Sequence, residues 1–238
     1  MKSAKWIFVI YAAAAFPLQR NSEEDFAHMC IVTSPRETPY VQDTAAATLA
    51  QLPAGFSMSV VSMDDNDDIP DGILVRRLRR IAANCTDADP PCSVRQQGLD
   101  IVNALELCHT ERPHAQWIVL LEDDFAPCGD GALKELRQSL LSVSTQLKFV
   151  RFTQGGGGIA FQRESVPPYA RYVREHNDEM PHDRALIMPW SALPDMVLPT
   201  HLFKHIGAVS TIAYRNNESF TRQYASIREN ECGSPITV

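Results

Sequence analysis

Three consecutive acids, Glu122-Asp123-Asp124, follow directly on Trp117-Ile118-Val119-Leu120-Leu121, a continuous apolar run of strand length. Such a run is what the buried centre of a mostly parallel sheet looks like. In open α/β sheets ligands bind beyond the carboxyl ends of the strands, so this run would carry its acids to a ligand crevice. Neighbouring carboxylates repel one another unless a cation or hydrogen-bond donors compensate them. A hard divalent ion with oxygen ligands does so, and it also holds a diphosphate against the protein. The bland alternative is a solvated acidic loop or a helix cap, and delivery by a buried strand argues against it. The second acidic run, Asp64-Asp65-Asn66-Asp67-Asp68, has no comparable delivery and reads as a solvated loop.

Other chemistry-bearing residues are more ambiguous taken singly. Arg95, at the start of a helical stretch, can meet phosphate oxygens bidentately or form an ordinary surface ion pair. His205 lies in an apolar segment, where a lone histidine is commonly a satisfied core residue. Gly155 to Gly158 lacks the Gly-Lys-[Ser/Thr] ending of a phosphate-binding P-loop, and Phe161 breaks a Gly-x-Gly-x-x-Gly match. The four glycines permit either close backbone approach to a sugar ring or a tight turn. No Gly-x-Ser-x-Gly elbow supports serine hydrolase chemistry. Six cysteines include no Cys-x-x-Cys pair, which argues against structural zinc. Cys85 and Cys92 flank the turn-prone Pro90-Pro91 and suit a small disulfide loop.

The elements that must position these residues alternate. Met29–Thr33 reads as a buried strand, Thr44–Leu52 as a helix ended by Pro53-Ala54-Gly55, and Phe56–Met63 as a second strand. Ile73–Ala83 has helical period, and Val94–Cys108 puts Leu99, Val102, Leu105 and Cys108 on one apolar face. After the acids come a turn at Gly129-Asp130-Gly131, a helix over Ala132–Val143, a strand over Lys148–Phe152 and a helix over Tyr169–His176. This order predicts a single α/β domain with a mostly parallel central sheet flanked by helices.

The chain has 238 residues, room for one such domain, and 45% hydrophobic residues, an ordinary globular balance. Its net charge of −7 argues against a nucleic-acid partner. No apolar stretch reaches the ~20 residues of a membrane-spanning helix, and no internal repeat is visible. Lys2 and Lys5 precede the apolar run Trp6–Leu18, with Ala12–Ala15 beyond its middle and Pro17 interrupting it. Residues 1–20 therefore read as a secretory leader or short anchor. With the sequons Asn84-Cys85-Thr86 and Asn217-Glu218-Ser219, this points to the secretory lumen, with membrane association through the N-terminus.

Ile118-Val-Leu-Leu-Glu-Asp-Asp124 resembles the metal-binding motif of GT-A glycosyltransferases, a variant of their Asp-x-Asp signature. The preceding helix from Arg95 to Cys108 resembles its counterpart in the N-acetylglucosaminyltransferase IV family and in the GalNAc-transferases of GPI anchors. In the expected order follow Gly155–Phe161, Pro181-His-Asp-Arg-Ala-Leu186 and Leu202-Phe-Lys-His-Ile-Gly207. The resemblance runs from about Met29 to Ser210 and implies a GT-A-like, Rossmann-like domain over 29–230.

Residue by residue, the resemblance implies that Asp124 ligates Mn²⁺ or Mg²⁺ at the diphosphate of a UDP-sugar, with Glu122 and Asp123 supporting the metal or touching the ribose. It makes His205 a second ligand, which would favour Mn²⁺ because imidazole suits it better. Thr33, Arg36 and Arg95 would hold the nucleotide. Asp183, between His182 and Arg184, falls where inverting enzymes place the base that activates the acceptor hydroxyl, with Asp178 and Glu179 as rivals. The implied function is transfer of an N-acetylhexosamine from a UDP-sugar to a glycan or glycolipid, GPI anchors included, in the Golgi or ER lumen. Two other readings stand beside it: a metal-dependent nucleotidyltransferase, and a non-catalytic domain that binds sugar or a partner, since the chain is short for the family.

Overall fold

The computed structural model describes residues 25–34, 40–63, 69, 71–80, 92–143, 147–153, 157–177, 179, 182, 196–207 and 232–235. In chain order the elements are β1 (Ala27–Thr33), α1 (Val41–Leu49), β2 (Phe56–Ser62), β3 (Leu74–Arg77), α2 (Cys92–Glu111), β4 (Trp117–Glu122) and β5 (Phe125–Pro127). Then come α3 (Ala132–Ser142), β6 (Phe149–Arg151), β7 (Gly158–Gln162), α4 (Val166–His176), β8 (Met196–Val197) and β9 (Phe203–His205). Among the described residues one seven-stranded sheet has the order β3-β2-β1-β4-β7-β6-β8, and β5 pairs with β9 in a second, two-stranded sheet. The pairs β3–β2, β2–β1, β1–β4 and β6–β8 are parallel; only β7 runs against its neighbours β4 and β6. The predicted mostly parallel α/β sheet is therefore present.

Alternation of side chains along each strand feeds two cores. In β4, Trp117, Val119 and Leu121 join a cluster with Leu133, Leu136 and Leu140 of α3 and Val41 and Ala45 of α1. Ile118 and Leu120 join the opposite cluster with Ile101, Val102 and Leu105 of α2 and Tyr169, Ala170 and Val173 of α4. A strand covered on both faces has no position to give to a polar residue, hence the unbroken apolar run. Burying one such side chain contributes about 1.5–3 kcal/mol, so a polar residue within β4 would be costly. Pro167 and Pro168 fall in the first turn of α4, where the backbone N–H groups have no intrahelical partner to lose.

One expected element is corrected. Within Ile73–Ala83, Leu74–Arg77 is not helical but forms β3, paired with β2 at the sheet edge. Its side chains are half-buried or exposed, so the pattern carries no strong period. Pairing with Ser59–Ser62 decides its conformation. Gly158–Gln162 forms strand β7, paired with β4 on one side and β6 on the other.

Two disulfides staple the described residues. Cys30 of β1 joins Cys108 of α2, and Cys128 after β5 joins Cys232 near the C-terminus. They close 78 and 104 residues of sequence, loops for which chain-entropy arguments give about 4–5 kcal/mol each. Cys92 is also disulfide-bonded; Cys85, its expected partner, lies outside the described residues, as do the leader and both sequons. No described helix is long and apolar enough to cross a membrane.

The chain runs from β1 outward through β2 and β3, then returns through α2 to place β4 on the other side of β1. The carboxyl ends of β1 and β4 are thus the topological switch point, where an open sheet leaves a crevice. The three acids are delivered there.

Candidate active site

The end of β4 sends its acids in three directions, and each is held by a different element. Glu122 accepts a hydrogen bond from Gln97 Nε2 of α2 at 2.9 Å, and its other oxygen is 3.9 Å from His182 Nε2. Asp123 is fully buried. Thr33 Oγ1, at the end of β1, donates to its Oδ2 at 2.6 Å, and Thr44 Oγ1, in the first turn of α1, donates to its backbone carbonyl at 2.6 Å. A carboxylate in that setting requires such donors, because burial without them is strongly unfavourable. Its backbone N–H meanwhile continues the ladder to Val32 at 3.1 Å.

Asp124 turns instead toward the small sheet. Its carbonyl accepts from Ile206 N–H at 2.7 Å, and its Oδ2 is 3.1 Å from His205 Nε2. Phe125 of β5 pairs in register with His205 of β9, and the two rings pack edge to face at 4.9 Å. Gly207 lies against the Asp124 carboxylate so closely that a Cβ there would stand 2.6 Å from Oδ2. The β5–β9 pair is therefore a device for aligning an imidazole with a carboxylate at the mouth of the main sheet.

A divalent metal, implied by the motif, fits this pair. Ligand atoms at ~2.1 Å from an octahedral ion stand about 3 Å apart when cis, close to the observed 3.1 Å. One carboxylate oxygen and one imidazole nitrogen are ligand types that divalent metal ions accept. Among the described residues no cluster of three or more His, Cys, Asp or Glu side chains is placed to hold a metal. An ion held by Asp124 and His205 would therefore draw further oxygen ligands from outside this pair.

The expected site residues divide as follows. Thr33, Glu122, Asp123, Asp124 and His205 converge at the switch point; Arg36 and Asp183 lie outside the described residues. His182, next to Asp183 in the chain, is buried, and Tyr169 Oη donates to its carbonyl at 3.2 Å. Arg95 is not the surface residue one alternative supposed: it is 8% exposed in the first turn of α2, and its carbonyl accepts from Asn177 Nδ2 at 2.8 Å. Thr33 is engaged by Asp123. Sequence reasoning did not single out Thr44, Gln97 or Gly207. For Thr44 the available signal was a polar residue in the first turn of a helix after a strand; Gln97, in the second turn of α2, and Gly207 stood only inside motifs read for other residues, and their contacts with Glu122 and Asp124 are tertiary.

No protein-family model matches the chain, and no curated protein matches it in sequence. Solved structures do. A glycosyltransferase involved in the glycosylation of the major capsid of PBCV-1 superposes with a TM-score of 0.54 at 11% identity, over 83% of this chain and 99% of its own. A protein assigned as a nucleotide-diphospho-sugar transferase from Desulfovibrio desulfuricans G20 superposes with a TM-score of 0.50 at 14% identity, over 87% of this chain and 95% of its own. At these identities the likeness is one of architecture: the chain has the α/β fold, with a mostly parallel central sheet, seen in these sugar-transferase structures.

Proposed function

We propose that this chain is a metal-dependent glycosyltransferase that moves an N-acetylhexosamine from a UDP-sugar to a hydroxyl of a glycan or glycolipid. The observation that carries the reading is the Asp124–His205 pair, aligned at 3.1 Å at the switch point of the sheet. The motif resemblance described above extends the acceptor class to GPI-anchor glycolipids. The disulfides Cys30–Cys108 and Cys128–Cys232 support residence in the secretory lumen, since such bonds persist in oxidising compartments.

Asp124 and His205 would hold Mn²⁺ or Mg²⁺, which supplies a Lewis acid at the departing diphosphate. The chain's own residues orient it. Thr33 and Thr44 lock Asp123 and with it the backbone turn that aims Asp124, and Gln97 keeps Glu122 directed at the α2 side of the crevice. In the transfer the sugar C1–oxygen bond to UDP breaks, a new bond forms from C1 to the acceptor oxygen, and the acceptor proton passes to a base. Asp183 is the residue we assign to that role, and the burial of His182 beside Glu122 supports it by bringing the preceding residue to the site. Such a base contributes roughly 10²–10⁴-fold.

The direct test is a panel of UDP-sugars assayed for hydrolysis with and without Mn²⁺, using the wild type and Asp124→Ala. Donor turnover needs no knowledge of the acceptor. Metal-dependent release of UDP that disappears in the variant is the expected result. Absence of turnover across the panel together with tight nucleotide binding would instead favour a binding domain.

A further inference from the structure

A second polar cluster lies on the other side of the β1 end and takes no part in the metal pair. Asp100 of α2 is buried, its side chain 1% exposed, yet it is ion-paired. Arg80 reaches its Oδ2 through Nη2 at 2.7 Å and through Nε at 2.9 Å. Ser34 Oγ donates to the same oxygen at 3.3 Å, and Gln96 Nε2 donates to Oδ1 at 2.8 Å. Every donor comes from the carboxyl side of the sheet. Ser34 directly follows β1, Gln96 and Asp100 are in the early turns of α2, and Arg80 follows β3, where Leu78 N–H still bonds Ser62 O at the end of β2.

Exposed ion pairs contribute little to stability, and burying a carboxylate is costly unless it is fully paired. Four donor contacts on one hidden aspartate are therefore more than an ordinary surface arginine needs. What they achieve is geometric. The guanidinium is fixed along its Nε–Nη2 edge while the side chain stays 38% exposed, and among the described residues the other three of its five N–H groups have no partner. Adjacent residues share the work at the end of β1: Thr33 holds Asp123 on one side and Ser34 holds Asp100 on the other.

We infer that Arg80, positioned by Asp100, binds the nucleoside portion of the donor nucleotide; this rests on the glycosyltransferase reading. Arg80 lies on the β1–β2–β3 half of the sheet, beside the metal pair's switch point rather than at the pair itself. Its charge is already balanced by Asp100, so the pair offers fixed, directional donors rather than net positive charge. That suits the neutral, acceptor-bearing base and ribose better than a diphosphate, whose charge calls for an uncompensated cation.

The test is calorimetric titration of the full chain with UDP, UMP and inorganic pyrophosphate, each with Mn²⁺, on the wild type, Arg80→Ala, Arg80→Lys and Asp100→Asn. Arg80→Ala is expected to weaken UDP and UMP by the same factor, about ten- to a hundredfold for a lost charge-assisted contact. Pyrophosphate binding should be unchanged. Lysine should not rescue, because it lacks the planar fork, and Asp100→Asn should weaken both nucleotides in parallel. If the wild type binds neither nucleotide, the glycosyltransferase reading itself fails. If it binds UDP and Arg80→Ala stays within twofold, Arg80 has no such role while that reading stands. An equal loss for pyrophosphate would overturn the assignment to the nucleoside. Should Asp100→Asn fail to fold, the exposed-site variants Arg80→Ala and Arg80→Lys, checked by thermal melting, decide the matter.

Discussion

Asp124 is constrained from both sides: its carbonyl bonds Ile206 N–H and its carboxylate is wedged between His205 and Gly207. Gly207 is therefore a sensitive probe of the proposed metal pair. In Gly207→Ala the new methyl would collide with Oδ2, and the carboxylate must move or rotate. Mn²⁺ affinity, measured by calorimetry without any substrate, should fall about 10–100-fold, the range for loss of a group that orients a ligand. Circular dichroism should show the fold retained. Unchanged affinity would mean that Asp124 does not hold the ion. Asp183→Asn tests a different step. It keeps side-chain shape and removes the proposed proton acceptor, so UDP and Mn²⁺ binding should persist while transfer falls roughly 10²–10⁴-fold. Intact binding with lost turnover is the signature of an interaction made only in the transition state. Transfer within a few-fold of wild type would pass the role to Asp178 or Glu179.

Among the elements, the β1–β2 pair carries a buried histidine far from this chemistry. His28 faces Ser57 and Ser59, with Nδ1 2.7 Å and Nε2 2.9 Å from the two hydroxyls. Burial lowers its pKa from 6.5 to about 4, and the nearby Arg112 charge adds to the effect. The unfolded chain therefore binds this proton more readily than the native one. His28's contribution to native stability is complete above pH ~6.5 and is lost as pH falls toward 4, about 3 kcal/mol in all. Urea unfolding at a series of pH values should show that decline, and His28→Gln should flatten it between pH 6.5 and 4. An identical slope in the variant would assign the acid sensitivity to other groups. At the same scale, α2 spans core and crevice: Cys108 at its far end is bonded to β1, while at its near end Gln97 bonds Glu122 and Asp100 pairs with Arg80 and Ser34. A helix that reads as one apolar face with polar ends is thus a rigid strut between core and site.

For the whole molecule, the Cys128–Cys232 bond joins the β5–β9 sheet to the C-terminal residues. Cys128 N–H bonds Leu202 O at 2.8 Å, and Cys232 forms a bridge with His201. Replacing both cysteines by serine should lower unfolding stability by roughly 2–5 kcal/mol. It should also weaken Mn²⁺ binding, because β9 carries His205. Denaturant titration and metal calorimetry on the same variant check both, and a stability loss without any change in metal affinity would separate this staple from the site. The apolar run of β4, the acids after it, the amphipathic α2 and the α/β alternation were all legible in the sequence, because periodicity and burial are local properties of neighbouring residues. The strand nature of Leu74–Arg77, the reversed direction of β7 and the Cys30–Cys108 and Cys128–Cys232 pairings were not. Nor could spacing show that His205 meets Asp124, that Thr44 and Gln97 secure the neighbouring acids, or that Arg80 meets Asp100. Those contacts join residues from different elements, and only strand order, crossovers and register bring their atoms within hydrogen-bonding reach.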